Sequence, residues 1–154
     1  MTTGARKKKV LFLCTGNSAR SIFGEYFLKE MGKDRFEAYS AGAEPAGKVN
    51  PLTLRELQDG YHLDAREARS KPVEALKHIN FDLVVTVCDN ARRACPIFPG
   101  GPKIIHWDIP DPAAVAGTDS EKLRAFKAAA QAIHRRVQLL CALPDEKLAS
   151  LTER

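Results

Sequence analysis

Four short runs punctuate the chain: Val10 to Leu13, Phe36 to Ser40, Phe81 to Val87 and Lys103 to His106. The first and third are almost continuously apolar, as strands covered on both faces of a parallel sheet must be. The second closes on Ala41-Gly42. Helical periodicity fills the gaps. A helix is predicted from about Ser18 to Met31, with Gly32 as its stop. Asn50-Pro51 supplies an N-cap and a first-turn proline for a second helix, which carries Leu52, Leu54 and Leu57 and ends at Gly60. Ser70-Lys71-Pro72 opens a short helix to about His78. Ser120 caps a last one from about Glu121 to Ala142, with Leu123, Phe126, Ile133, Val137 and Leu140 on one stripe. Strands alternating with helices imply an α/β fold around a four-stranded parallel sheet with right-handed crossovers.

Charge changes this picture at one end only. The formal net charge is +5, and Arg6, Lys7, Lys8 and Lys9 supply four of the positive charges. The rest of the chain is close to neutral, so residues 1–9 read as a disordered, solvated basic tail ahead of a single catalytic domain, 10–154. No aromatic residue interleaves with the basic run, which argues against nucleic acid. The apolar run after it is too short for a signal peptide and is broken by Gly16 and Asn17. No segment is long enough to cross a membrane, so a cytoplasmic location is expected. Four cysteines in a reducing compartment are catalytic or inert rather than paired.

The candidate chemistry gathers where strands end. In parallel sheets, ligands collect at the carboxyl ends of strands. Cys14, Cys88 and the loop Trp107 to Pro112 each follow a predicted strand, so all three can meet at one rim. Cys14 opens the loop Thr15-Gly16-Asn17-Ser18-Ala19-Arg20-Ser21, which leads into a helix. Unpaired N–H groups at a helix start bind anions and lower the pKa of a thiol, so a Cys14 thiolate is expected at neutral pH. Gly16 permits close backbone approach, Asn17 tolerates a left-handed conformation, and Ser18 and Ser21 can donate to a thiolate. Arg20 can return as a planar fork for a tetrahedral oxyanion. The bland reading of Cys14 is an inert buried cysteine, and that of Asp111-Pro112 is an ordinary turn. Cys88 and Cys95 fit no common zinc spacing. Cys141 reads as core. His62, His78, His106 and His134 show no ligand spacing and receive no role.

The stretch Val-Leu-Phe-Leu-Cys14-Thr-Gly-Asn17-Ser-Ala-Arg20-Ser21 resembles the active-site loop of the low-molecular-weight protein tyrosine phosphatase fold, and in particular the thiol-linked arsenate reductases. Tyr39-Ser40-Ala41-Gly42, Val84 to Cys88 with Cys95-Pro96, and His106 to Ala113 match in order, so the likeness covers residue 10 to about 140. The resemblance implies a three-layer fold. It implies Cys14 as nucleophile, residues 15–20 as oxyanion cradle, Arg20 as clamp, Asn17 as the keeper of loop shape, and Ser21 as thiolate stabiliser. It implies Asp111 as general acid, and Cys88 and Cys95 as a resolving pair that carries a disulfide away from Cys14. No cofactor is required. A structural potassium ion, present in some members, would here take Asn17, Glu25, Ser40 and Asp64. The reductant would be thioredoxin, or glutaredoxin with glutathione. Ala19, Ile22-Phe23 and Arg92-Arg93 depart from the thioredoxin-linked pattern and leave the reductant open. The rival activity is phosphotyrosine or aryl phosphate hydrolysis, against which stand Ala113, where the phosphatases usually carry tyrosine, and the Cys88/Cys95 pair. A non-catalytic oxyanion sensor would need neither Asp111 nor that pair.

Overall fold

A computed structural model describes residues 6–93 and 95–148. Four strands, β1 (Lys8–Cys14), β2 (Phe36–Gly42), β3 (Leu83–Thr86) and β4 (Lys103–His106), form one sheet in the order β2-β1-β3-β4. Every pairing is parallel. The sheet is flanked by helices α1 (Arg20–Met31), α2 (Pro51–Tyr61), α3 (Asp89–Arg93), α4 (Asp119–Ala142) and α5 (Asp145–Leu148). This is the α/β arrangement the alternating pattern implies.

The central place of β1 follows from its composition. Val10 to Cys14 are all buried, which only a strand paired on both edges and covered on both faces allows. Helix α1 lies close against it, because a Cβ at Gly24 would stand 2.5 Å from the Phe12 ring. Phe12 also meets the Trp107 ring, with centroids 5.8 Å apart. A second aromatic group ties three helices together. Phe27 of α1 sits 4.6 Å from Tyr61 of α2, and His134 of α4 sits 4.9 Å from both rings. Burial lowers the pKa of His134, so it packs there as a neutral ring.

Several boundaries differ from the sequence expectation, each for a local reason. Residues 6–9 are not a solvated tail. Lys8 and Lys9 pair with Phe36 and Glu37 in the sheet, and Arg6 grips Asp82 through two hydrogen bonds of 2.8 and 2.7 Å. Residues 1–5 of that expected tail lie outside the described residues. Helix α1 begins at Arg20 rather than Ser18, because Asn17 takes a left-handed turn at φ 49°. Thr118, not Ser120, caps α4, through a reciprocal box with Glu121. The segment after Pro72 makes only a 3₁₀ turn, Val73–Leu76, since Pro72 is bridged to Gly42 at the sheet edge. Helix α2 runs through Gly60 to Tyr61 and is closed by left-handed His62.

Candidate active site

The register of the sheet sets the site. Cys14 is the last residue of β1, and the ladder to β3 continues one step beyond it through Val87 N–H to Leu13 C=O at 3.0 Å. Cys88 therefore emerges beside Cys14. The ladder also continues from Trp107 N–H to Thr86 C=O at 2.8 Å, which launches the loop to Asp111 from the same rim. The three strand ends anticipated from sequence do meet.

The loop after Cys14 is held by side chains beneath it. The Asn17 amide donates to Ser21 Oγ at 2.7 Å and to Ser40 Oγ at 3.1 Å, while its carbonyl accepts from Lys71 N–H at 2.9 Å. Since Ser21 accepts from Asn17, its own proton is free to point at Cys14 Sγ, 2.9 Å away. The backbone N–H of Asn17 also donates to that sulfur, at 3.2 Å. Among the described residues, the N–H groups of Gly16, Ser18, Ala19 and Arg20 have no protein acceptor. They form the donor set an oxyanion needs. The crowded glycine here is Gly42, whose Cβ would stand 2.6 Å from Thr15 O. Gly16 is not crowded, since nothing comes nearer than 3.6 Å.

One expectation is reversed. Burial pushes the Cys14 thiol up, and this outweighs the downward pull of Ser21, of Asn17 N–H and of the Arg20 charge. Only 2% of Cys14 is exposed, so a bare sulfur anion loses nearly all hydration. The spacing of loop donors could not reveal how deep β1 places the sulfur.

Arg20 and Asp111 face one another across the rim. Arg20 Nη1 donates to Ile109 O at 3.0 Å and reaches Val87 O at 3.5 Å, and Nη2 lies 3.6 Å from Asp111 Oδ2. Asp111 also caps the 3₁₀ turn Pro112–Ala114 by accepting from Ala113 N–H at 3.0 Å. Its side chain stays 42% exposed, so it can still exchange a proton. Trp107 of the same segment is buried on Phe12 and is not available to flank a substrate.

Cys88 Sγ lies 3.2 Å from the hydroxyl of Thr15, the first loop residue, and accepts from Ala91 N–H at 3.3 Å. Asn90 donates to the same Thr15 hydroxyl at 3.2 Å. Cys95 is half-buried beyond α3, its thiol 3.7 Å from Pro96 O. All four cysteines are thiols.

Residues 9–151 match the family model described as low molecular weight phosphotyrosine protein phosphatase. The chain belongs to that family. An arsenate reductase of Halalkalibacterium halodurans is 37% identical over 132 residues, 86% of this chain and 94% of its own. The crystal structure of an arsenate reductase from Archaeoglobus fulgidus superposes with a TM-score of 0.69 at 32% identity, over 87% of this chain and 99% of its own. A low molecular weight protein tyrosine phosphatase from T. tengcongensis superposes at 0.72 with 25% identity, over 87% and 97%. Family membership alone therefore leaves two reactions in play, and the residues at the rim must choose between them.

Of the four residues expected to hold potassium, three are hydrogen-bonded to one another in this phosphatase-family site. Asn17, Glu25 and Ser40 do cluster, with Ser40 Oγ donating to Glu25 Oε1 at 2.6 Å. Asp64 is 53% exposed, and among the described residues its hydrogen bonds go to Arg66. Lys71 Nζ reaches Ser40 Oγ at 3.4 Å. In the sequence, Lys71 stands only at the opening of a short helix, Ser70-Lys71-Pro72. Sequence reasoning also missed His106. Its Nδ1 lies 2.8 Å from Thr86 Oγ1, and its buried Nε2 lies 3.5 Å from Asp89, the first residue of α3. A histidine two strands from Cys14 carries no sequence signal for such a contact.

Proposed function

We propose that this chain is an arsenate reductase that works by a Cys14/Cys88/Cys95 disulfide relay. The observation that carries the reading is the second thiol at the loop, Cys88 Sγ against the Thr15 hydroxyl at 3.2 Å. Hydrolysis needs water there, not a thiol. The absence of an aromatic residue after Asp111-Pro112, where Ala113 stands, points the same way.

Arsenate enters as a tetrahedral anion, received by the unpaired loop N–H groups and the Arg20 fork. Cys14 is stored as a thiol, and a dianionic arsenate oxygen takes its proton as the sulfur attacks. The S–As(V) bond forms, the As–O bond breaks, and Asp111 gives that oxygen the proton with which it leaves as water. Cys88 then attacks Cys14 Sγ. The S–As bond breaks with its electron pair on arsenic, so arsenic leaves as arsenite and the two sulfurs are joined. Cys95 attacks Cys88 Sγ, which frees Cys14 and moves the disulfide to the 88–95 pair. A dithiol such as thioredoxin, or glutaredoxin with glutathione, reduces that pair. Ile97, almost wholly exposed two residues from Cys95, offers a protein reductant an apolar contact.

Two variants test the relay. Cys95→Ser should release about one arsenite per enzyme and stop with Cys14 bonded to Cys88, since the second exchange has no partner. Cys88→Ser should halt before arsenite leaves. Aryl phosphate hydrolysis, if present, should survive both. Arsenite counted per enzyme, with mass spectrometry of the trapped disulfide, is the measurement. Normal multiple turnover of arsenate by both variants with every reductant would reject the relay and favour direct attack by an external thiol.

A further inference from the structure

We propose that Lys71 is the resident cation of the chamber behind the oxyanion loop, and that this protein needs no bound monovalent ion there. Among the described residues, Glu25 is the one carboxylate that acts on Lys71. Glu25 is nearly buried, with Oε2 2.8 Å from Lys29 Nζ and Oε1 accepting from Ser40. Lys71 Nζ comes to the same Ser40 oxygen at 3.4 Å and donates to Arg69 O at 3.0 Å. Two ammonium groups thus face one carboxylate. A third positive charge would find no unpaired anion.

The lone pairs lead to the same conclusion. A potassium ion requires oxygen donors with free lone pairs. Ser40 Oγ spends its proton on Glu25 and accepts from both Asn17 and Lys71, so its capacity is used. Asn17 Oδ1 accepts from Lys71 N–H and keeps one lone pair, so it is the loss of Ser40 and the positive charge of Lys71, rather than exhaustion of every donor, that disfavours an ion. Burial pushes the Lys71 ammonium down, while Glu25 holds it up and Lys29 opposes it, which places its charge among those two groups.

The position gives that charge a use. Lys71 reaches Cys14 through a continuous chain: Lys71 to Ser40, Ser40 to Asn17, Asn17 to Ser21, and Ser21 to the sulfur. Its backbone accepts from Gly42 N–H at 2.9 Å, and the neighbouring Ser70 hydroxyl donates to Gly16 O at 2.9 Å. The segment therefore props the loop from below with a tethered cation. Lys71 is a positioning residue that touches neither the sulfur nor the oxyanion.

The test uses the full chain, its thermal midpoint and its affinity for inorganic phosphate, in potassium chloride or choline chloride at equal ionic strength. Wild type should give the same midpoint and the same affinity in both salts. Lys71→Ala should melt about 3–8 °C lower in choline chloride and bind phosphate more weakly, and potassium should restore most of both. Lys71→Arg should behave as wild type in both salts. Rescue by potassium marks a cation site, because a merely structural lysine would not be replaced by an ion. The proposal fails if potassium stabilises wild type, if Lys71→Ala matches wild type in choline, or if its losses are indifferent to potassium. Should Lys71→Ala not fold in either salt, the wild-type comparison and Lys71→Arg still decide. Phosphate is the probe throughout, so the outcome does not depend on whether arsenate is the substrate.

Discussion

Replacing Arg20 with lysine keeps the charge and removes the fork, and the structure says what that costs. Arg20 is 10% exposed and joins three strand ends at once: it belongs to the loop after β1, donates to Ile109 O at 3.0 Å, and lies 3.5 Å from Val87 O. A lysine is shorter, and a single ammonium cannot face all these groups and Asp111 together. Losing one charge-assisted bond to a buried carbonyl costs about 1.5–3 kcal/mol. The 3.5 Å contact is too long to add much. The 3.6 Å approach to Asp111 is discounted, because that carboxylate is 42% exposed and screened by water. The sum is about 2–3 kcal/mol, or roughly 4–12 °C in thermal midpoint for a chain of this size. Transition-state stabilisation suffers separately. A lost oxyanion donor typically lowers kcat by about 10²–10³. Calorimetry, with kcat and KM for arsenate and for an aryl phosphate, reads both effects. The kcat losses for the two substrates should be alike, because both present the same tetrahedral oxyanion to the fork. A variant that melts with wild type and keeps its kcat would show that Arg20 neither ties the rim nor clamps the anion.

Two further predictions follow from the same rim. Asp111→Asn should slow the step in which oxygen leaves by about 10²–10⁴-fold while phosphate binding and the thermal midpoint hold, because asparagine caps the Pro112–Ala114 turn as aspartate does; unchanged pre-steady-state rates would make Asp108 the candidate. Alkylation of Cys14 in the oxyanion-free enzyme should show a midpoint above that of an ordinary thiol, since burial leads the causes, and Ser21→Ala should push it higher by removing a donor that pulls it down. The sign carries into stability. A thiol whose folded pKa is raised contributes stability that is fully present below the ordinary thiol range and lost as pH rises through the folded value. Cys14→Ser does not titrate, so the stability of wild type relative to it should fall on the alkaline side. That difference removes the parallel effects of Cys141 and the tyrosines, which burial also raises. A Cys14 midpoint below that of free cysteine would refute the claim.

The fold was legible where burial alone dictates structure. A run such as Val10 to Cys14 has only one place in an α/β sheet, its middle, and the structure puts it there. The ends of elements were less legible, because they depend on partners far along the chain. Lys8 and Lys9 become strand because Phe36 and Glu37 lie beside them, and Arg6 is fixed by Asp82, 76 residues away. Thr118 wins the cap of α4 over Ser120 because Glu121 stands three residues after it and returns the bond. That box was visible in the sequence and is the better signal. Helix α5 is a single short turn, anchored where Arg35 gathers Cys141 O, Leu143 O and Asp145. Nothing local announces it.

At the site, the same division separates what the motif carries from what it hides. The loop motif names the donor types, Asn17 and Ser21, but not how they are connected. The connection comes from helix geometry and strand register together. Ser21, Glu25 and Lys29 are four residues apart, hence on one stripe of α1. The register Phe12 with Ser40 and Cys14 with Gly42 sets Ser40 under the loop, opposite that stripe. A buried carboxylate at Glu25 then demands cations, and the chain supplies Lys29 from its own helix and Lys71 from the segment that props Gly16 and Asn17. Lys71 was therefore discoverable from the charge that Glu25 must balance, not from any motif in which it sits. The raised pKa of Cys14 belongs to the same connection. One end of the chain is a sulfur held dry by β1, whose burial pushes its pKa up while Ser21, Asn17 N–H and Arg20 pull it down, and the other end is a tethered ammonium that reaches the same donors through Ser40.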